Sequence, residues 1–306
     1  MKYVRENYEE LFAMVKKEYE DSQEECIEKL RDVQLAGYRV KTIKSGPMLE
    51  VEAYPFWNIP RGQRKKIGNE SSTAQQNLND KNTKKHVIRL IHANFTEDDI
   101  KADFTYTNDR LPADPEQAKK DMTNLIRRMK RSLKKQKKYK DFELKYIYVT
   151  EHSSDEKKGK VRVHHHMITN FPDRDALEEL WNGGGRTQTR RLQQDDYGFE
   201  GLARYILKDK RDNPAKRYTV SRNLKKPTVT IADSKLTRRR AGKIATEEVS
   251  AQETFEKMYK GYKFNDIQVK FSEFVSGAYL YVRMKHLDGF TRKRRRVSDD
   301  EDNQHY

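Results

Sequence analysis

Two strand-like runs follow each other closely near the middle of the chain, and they constrain the fold more than any other feature. Residues 144–151, LKYIYVTE, and residues 161–170, VRVHHHMITN, are rich in β-branched and aromatic side chains. Only a polar stretch, SSDEKKGK, lies between them, and it is too short for a crossover helix. The two runs therefore predict an antiparallel hairpin.

A further strand and three helices are predicted around this hairpin. Residues 103–107, DFTYT, alternate as a half-buried strand does, and Asp114 followed by Pro115 is typical of a helix start. That helix has an apolar stripe of Met122, Leu125, Ile126, Met129 and Leu133. Residues 173–181 and 201–210 predict two shorter helices. The order favours an α+β fold, with a central antiparallel sheet and helices packed on one face.

Four regions are expected along the chain. Residues 1–84 combine an amphipathic helix at 5–33, a strand-like run at 48–54 and a polar loop or linker at 60–84. Residues 85–228 form the central domain, which opens on a short helix. Residues 229–290 are a mixed accessory region, whose segments KMYKGYKF and YLYVRMKH either contact DNA or pack internally. Residues 291–306 are a charged, disordered tail.

The chain carries a strong excess of positive charge. Lys and Arg number 64 against 48 Asp and Glu, giving a formal net charge of +16. Such an excess favours nucleic acid as the partner, although ribosomal and membrane-surface proteins share it. No apolar run approaches the ~20 residues of a membrane span, and Cys26 is the only cysteine. We expect no disulfide, no membrane association and a reducing cytoplasm.

Much of this positive charge lies on the helix that starts after Asp114. Its cations are candidates for contacts with a phosphate backbone. The alternative is a solvated helix face, which runs of charge usually form. The candidate nucleic-acid-binding residues are Arg127, Arg128, Lys130, Arg131 and Lys134.

The three consecutive histidines of the second strand-like run suggest a metal site. Side chains alternate across a strand, so His164 and His166 point to one face while His165 points to the other. Glu151, at the end of the preceding strand, is placed to add a carboxylate if the register brings it alongside. Two imidazoles and one carboxylate leave coordination positions open, as a catalytic metal requires. The alternative is that the histidines are ordinary half-buried strand residues.

Tyr205 and Lys208 are three residues apart on a predicted helix and so share a face. A phenol is a poor nucleophile at neutral pH because its pKa is about 10. A nearby ammonium and a metal-polarised phosphate favour its ionised form. Tyr205 is therefore the candidate nucleophile, and Lys208 its candidate partner.

In this order, the strand FTYT, Glu151, the strand VRVHHHMI and the segment YILK resemble the motifs of the HUH endonucleases, the rolling-circle replication initiators. The W-x-G at Trp181 and the segment SRNLKKP at 221–227 look like the branch found in bacteria and phages. The resemblance spans about residues 85–227 and implies an HUH nuclease fold in a protein of the bacterial cytoplasm.

The resemblance also implies a mechanism. His164, His166 and Glu151 would hold Mg²⁺ or Mn²⁺ at the scissile phosphate of single-stranded origin DNA, although histidine-only sets also occur in such enzymes. Tyr205 would attack phosphorus and become joined to the 5′ phosphate, leaving a 3′ hydroxyl that primes a polymerase. Lys208 would position the phosphate or favour the ionised phenol. Some relatives use two tyrosines; here Tyr197, Glu200 or a second subunit is a candidate for the second cleavage.

Other functions fit the same residues. A relaxase or transposase would use the same chemistry for transfer, whereas a DNA-binding regulator would use the basic helix without catalysis. A zinc hydrolase would use the histidines without needing Tyr205. No phosphate-binding loop of the type G-x-x-x-x-G-K-[ST] occurs in the sequence, so unwinding is expected to need a host helicase.

Overall fold

The computed structural model describes residues 35–57, 73–151, 162–207, 218–271 and 277–288. These residues form two compact units. Unit 1 contains residues 35–89, 196–198 and 226–288, and unit 2 contains residues 90–195, 199–207 and 218–225, within the described ranges. The predicted helix at 5–33, Lys208 and the predicted tail at 291–306 lie outside the described residues.

The described residues contain ten strands and six α-helices, an α+β composition. The strands are β1 (Leu35–Ser45), β2 (Met48–Trp57), β3 (Ile100–Tyr106), β4 (Tyr146–Glu151), β5 (His164–Thr169), β6 (Gly184–Arg191), β7 (Thr219–Val220), β8 (Thr228–Ala232), β9 (Tyr262–Phe271) and β10 (Ala278–His286). The helices are α1 (Thr73–Asn94), α2 (Pro115–Lys135), α3 (Arg174–Glu179), α4 (Glu200–Ile206), α5 (Arg238–Ala245) and α6 (Ala251–Met258).

Unit 1 is built on a five-stranded antiparallel sheet with the order β8-β1-β2-β10-β9. The β1–β2 turn contains Gly46 at a φ of 58°, a left-handed conformation that glycine adopts without a steric penalty. One face of the sheet packs against α5 and α6 through Ala241, Ile244 and Phe255. The first two strands and the last two thus share one core.

The aromatic residues of the C-terminal segments contribute to the packing of unit 1. Tyr259 is buried and shares a 2.6 Å hydrogen bond with Thr42. Tyr281 donates a 2.7 Å hydrogen bond to Glu50, which also accepts hydrogen bonds from Arg89 of α1. Of the two alternatives for these segments, internal packing accounts for these two tyrosines.

Unit 2 is built on a second five-stranded antiparallel sheet, with the order β6-β3-β5-β4-β7. The predicted hairpin is formed by β4 and β5, although its connection lies outside the described residues. β5 also pairs with β3, so the three strands that carry the sequence motifs are direct neighbours. The central antiparallel sheet expected from the sequence is thereby confirmed.

The helix predicted after Asp114 is α2. The Asp114 side chain accepts a 2.7 Å hydrogen bond from the backbone N–H of Gln117, and Pro115 opens the helix. The whole predicted apolar stripe is buried against the sheet, together with Leu177 of α3. Burying this stripe is what holds α2 on the sheet, because its other face is highly charged.

Two sequence expectations are corrected by the fold. Helices do not pack on only one face of the second sheet: α2 and α3 cover one face, while α4 lies against the other, where Tyr205 contacts His166. The stretch 60–84 is not wholly a linker, because α1 begins at residue 73. Its polar side chains hid a helix whose apolar contacts begin near Val87. No helix in the described residues is long and apolar enough to span a membrane.

Candidate metal centre

The register of the second sheet brings three predicted metal ligands together. In the β4–β5 hairpin, Glu151 lies directly opposite His164, and Val149 lies opposite His166. Strand alternation points His164 and His166 to the same face as Glu151. Glu151 Oε2 lies 3.2 Å from His164 Nε2 and 3.1 Å from His166 Nε2. One ligand atom from each residue lies within 4.8 Å of the other two, so the group could hold a metal ion.

Both imidazoles are oriented by hydrogen bonds at their other nitrogen. His164 Nδ1 lies 2.8 Å from the carbonyl oxygen of Arg162, and His166 Nδ1 lies 2.5 Å from a carboxylate oxygen of Asp103. Carbonyl and carboxylate oxygens only accept, so each Nδ1 carries the hydrogen. A neutral ring then presents its Nε2 lone pair, the form that binds metals.

This donor set fits a divalent cation. With hydrogen on both Nδ1 atoms, two Nε2 lone pairs and a carboxylate oxygen face one another at about hydrogen-bond distance with no donor between them. Such an arrangement is repulsive unless positive charge lies between the three atoms. A metal ion supplies that charge, and two imidazoles plus one carboxylate leave open positions for a substrate oxygen.

Asp103, which the sequence did not single out, lies on β3 directly opposite His166. Burial would raise the pKa of this carboxyl, but the hydrogen bonds from His166 and Lys101 outweigh it and hold the pKa below its ordinary value. Asp103 therefore remains an anionic acceptor that fixes the His166 ring. Its pairing partner could not be read from the sequence, because β3 and β5 are far apart along the chain.

His165 points to the opposite face, as predicted from strand alternation. Its Nε2 lies 2.7 Å from the Tyr106 hydroxyl and its Nδ1 lies 2.9 Å from the Thr150 hydroxyl. The Tyr106 hydroxyl also lies 3.1 Å from a carboxylate oxygen of Asp121 on α2. Burial, together with the neighbouring His164 and His166, lowers the pKa of His165 to about 3. This neutral histidine fixes β5 in place and takes no part in the metal group.

The candidate nucleophile lies beside the metal group. The ring centroids of Tyr205 and His166 are 5.6 Å apart, in an edge-to-face arrangement. Tyr205 is 49% exposed, which leaves its side chain open to a large substrate. Lys208 lies outside the described residues. A different ammonium lies nearby: Lys101 Nζ is 5.0 Å from the centroid of the Tyr205 ring.

The predicted cations of α2 lie away from this group. α2 packs on the face that carries Phe104 and Met167, whereas the metal group occupies the other face. Arg128 is partly buried and donates to the carbonyl oxygen of Leu180. The remaining four are exposed: Arg127, Lys130, Arg131 and Lys134. The structure therefore does not bring the α2 cations and the metal ligands together.

A second set of cations lies on the face of the metal group. β6 pairs with β3, which places Gln188 opposite Asp103 and Arg190 opposite Lys101. By strand alternation, Arg186 belongs to the same face. Arg186 and Arg190 are exposed. The alternation of Arg186, Thr187, Gln188, Thr189 and Arg190 was the available signal, but the preceding glycines were interpreted only as the end of a helix.

Comparison with known proteins gives one match. Residues 103–210 match the family model of the replication-associated protein ORF2. The matched segment begins at Asp103 and contains the three candidate ligands and Tyr205. No curated protein and no solved structure matches the chain. The match confirms the family resemblance inferred from the order of the sequence motifs.

Proposed function

We propose, on the premise that residues 103–210 belong to the ORF2 family of replication-associated proteins, that this chain nicks single-stranded DNA at an origin and so initiates rolling-circle replication. One observation carries the proposal. The exposed phenol ring of Tyr205 lies 5.6 Å, centroid to centroid, from the ring of His166, within the group that could hold a metal ion. A nucleophile beside a metal group is the arrangement that phosphoryl transfer needs.

Glu151, His164 and His166 would hold the ion, which we propose is Mg²⁺ or Mn²⁺. When bound, such an ion withdraws negative charge from a phosphate oxygen and so makes phosphorus more open to attack. Asp103 and the Arg162 carbonyl keep the two Nε2 lone pairs directed at this point. His165, neutral and buried, holds β5 so that its neighbours keep their positions.

Tyr205 would perform the covalent step. Its phenolic oxygen forms a bond to phosphorus while the bond between phosphorus and the 3′ oxygen breaks. The phenolic proton is released to solvent or a base, and the departing 3′ oxygen takes up a proton to become a hydroxyl. The chain is then joined to the 5′ phosphate, and the phosphodiester energy is retained for later rejoining. The 3′ hydroxyl is left as a primer for a polymerase.

The DNA strand would lie on the face that carries the metal group. We propose that Arg186 and Arg190 of β6 contact its phosphates, because both are exposed beside Lys101 and Asp103. The exposed α2 cations remain candidates for contacts with DNA that extends beyond the nicking site. The two groups differ in which face of the sheet they occupy, so their contributions can be separated by the length of the DNA.

Adduct formation tests the proposal. The protein is incubated with a random-sequence pool of single-stranded oligonucleotides and Mn²⁺, and adducts that survive denaturation are isolated and digested. The expected result is a peptide carrying a nucleotide on Tyr205, and its loss in Tyr205→Phe. Tyr146→Phe is the matched control, since Tyr146 is a partly buried tyrosine packed with the α2 core.

The rival functions give different outcomes. A DNA-binding regulator forms no adduct with any variant, and a zinc hydrolase cleaves DNA in the Tyr205→Phe variant as well. Either result contradicts the proposal. A relaxase or transposase would form the same adduct and differ in the origin that it recognises.

A further inference from the structure

Lys101 occupies a position that no sequence motif indicated. It lies on β3, two residues before Asp103, and strand alternation points both side chains to the face of the metal group. Lys101 Nζ lies 2.8 Å from Asp103 Oδ2 and 5.0 Å from the centroid of the Tyr205 ring. One ammonium therefore contacts both the ring of the candidate nucleophile and the carboxylate that orients His166.

These contacts place Lys101 at a junction. The other oxygen of Asp103 lies 2.5 Å from His166 Nδ1, so Lys101, Asp103 and His166 form a continuous chain of contacts. The rings of His166 and Tyr205 then close the circle at 5.6 Å. Tyr205 itself comes from α4, which is not a neighbour of β3 in the sequence. A contact between these elements is what fixes the phenol relative to the ligands.

The burial of Lys101 supports a specific role. Its side chain is 19% exposed, whereas lysines whose only role is solubility extend into water. A cation within about 6 Å of a ring centroid is attracted by the negative face of the ring. Asp103 neutralises the ammonium, which lowers the cost of holding it partly out of water.

We propose that Lys101 is a positioning residue that holds the Tyr205 ring beside the metal group through its joint contact with Asp103. The proposed part in nicking rests on the function proposed above, whereas the positioning itself does not. Without the ammonium, the ring loses its attachment to β3 while the ligands and the DNA-contacting arginines stay in place. The rate of adduct formation falls, and the affinity for DNA changes little.

Single-turnover adduct formation tests the role in nicking. Lys101→Met keeps the length of the side chain and removes the charge, and the rate is expected to fall about tenfold at saturating DNA. Lys101→Arg keeps a cation that interacts with rings and pairs with carboxylates, so it restores most of the rate. Lys41→Met is the matched control: Lys41 is a strand lysine paired with a carboxylate, its side chain 22% exposed. Equal rates for wild type and Lys101→Met would overturn the role in nicking.

A second measurement needs no activity. With 3-fluorotyrosine placed only at position 205, the ¹⁹F resonance reports the surroundings of this ring. The expected result is that Lys101→Met moves the resonance towards its position in the unfolded chain, while Lys101→Arg and Lys41→Met leave it unchanged. An unchanged resonance in Lys101→Met would overturn the positioning role. If wild type forms no adduct but the resonance moves, nicking fails and positioning stands.

Discussion

Asp103 and His166 face each other on adjacent strands, with a carboxylate oxygen of the first 2.5 Å from Nδ1 of the second. The carboxylate fixes both the rotation of the ring and the nitrogen that carries the hydrogen. Because Lys101 holds the other oxygen, the carboxylate itself cannot turn freely. The metal group therefore depends on a strand that supplies none of its three ligands.

Asp103→Asn is expected to weaken metal binding without unfolding the chain. The amide loses the charge that stabilises the hydrogen-bonded imidazole, and affinity for Mn²⁺ should fall by about 10–100-fold. Isothermal titration with Mn²⁺ measures this. Asp266→Asn serves as the control, because Asp266 is also a half-exposed strand carboxylate with one cationic partner, Arg283. If both variants bind Mn²⁺ as wild type does, the orienting role of Asp103 is wrong.

Two adjacent histidines should respond oppositely to replacement by alanine. His165→Ala removes a buried ring and leaves the hydroxyls of Tyr106 and Thr150 without their partner, which should lower the free energy of unfolding by about 3 kcal/mol. His164→Ala should abolish Mn²⁺ binding and change the free energy of unfolding by less than about 1 kcal/mol. Urea unfolding without metal and Mn²⁺ titration separate the effects. Similar losses of stability for both variants would contradict the division of roles.

The buried carboxylate of Glu50 predicts a loss of stability in acid. Burial alone would raise its pKa, but Arg89 and the Tyr281 hydroxyl outweigh this and lower it from 4.5 to about 2. A lowered folded pKa contributes stability above pH 4.5, and this stability is lost as the pH falls towards about 2. The contribution is about 3 kcal/mol.

Glu50→Gln tests this pH dependence. At neutral pH the variant should be less stable by about 3–5 kcal/mol, because Arg89 keeps its buried charge without its main partner. Between pH 4.5 and about 2 its free energy of unfolding should fall less steeply than that of wild type. Urea unfolding over this pH range gives both values, and parallel curves would exclude Glu50 as the responsible group.

The two sets of arginines should differ in their effect on DNA binding. Replacing Arg186 and Arg190 with Gln removes two cations from the face of the metal group, so the slope of log K against log salt for a short single strand should decrease by about 1.4. Replacing Arg127 and Arg131 on the other face should leave the affinity for the same strand within about twofold. Fluorescence anisotropy at several salt concentrations measures both. An equal loss in both variants would mean that the strand is not confined to one face.

The parts of the fold that depend on nearby residues could be predicted from the sequence. The cap at Asp114 and the apolar stripe of α2 are set within a few turns of one helix, and alternation alone separates His165 from His164 and His166. Pairing between distant strands could not be predicted. The roles of Asp103 and Lys101 appear only once β3 lies beside β5 and close to α4, and nothing local in the sequence specifies that arrangement.

Elements that lack a local signature were missed for the same reason. β6 follows a run of glycines and carries arginines and threonines, so it lacks the apolar alternation of a half-buried strand. α1 begins in a polar stretch and becomes apolar only in its second half. Each is stabilised by what it contacts in the folded chain, and those contacts are long-range.

The first sheet is assembled from both ends of the described chain, and this has a consequence for biosynthesis. Tyr38 on β1 bonds to the backbone of Ala278, 240 residues later, and β2 has β10 as a neighbour. On the ribosome, the first hairpin therefore waits with an open edge until almost all of the chain has emerged. The second sheet needs no residue beyond Val220, so its strands can pair earlier. A ribosome that stalls after residue 225 would release a catalytic layer complete in its strands, attached to an unpaired and aggregation-prone hairpin.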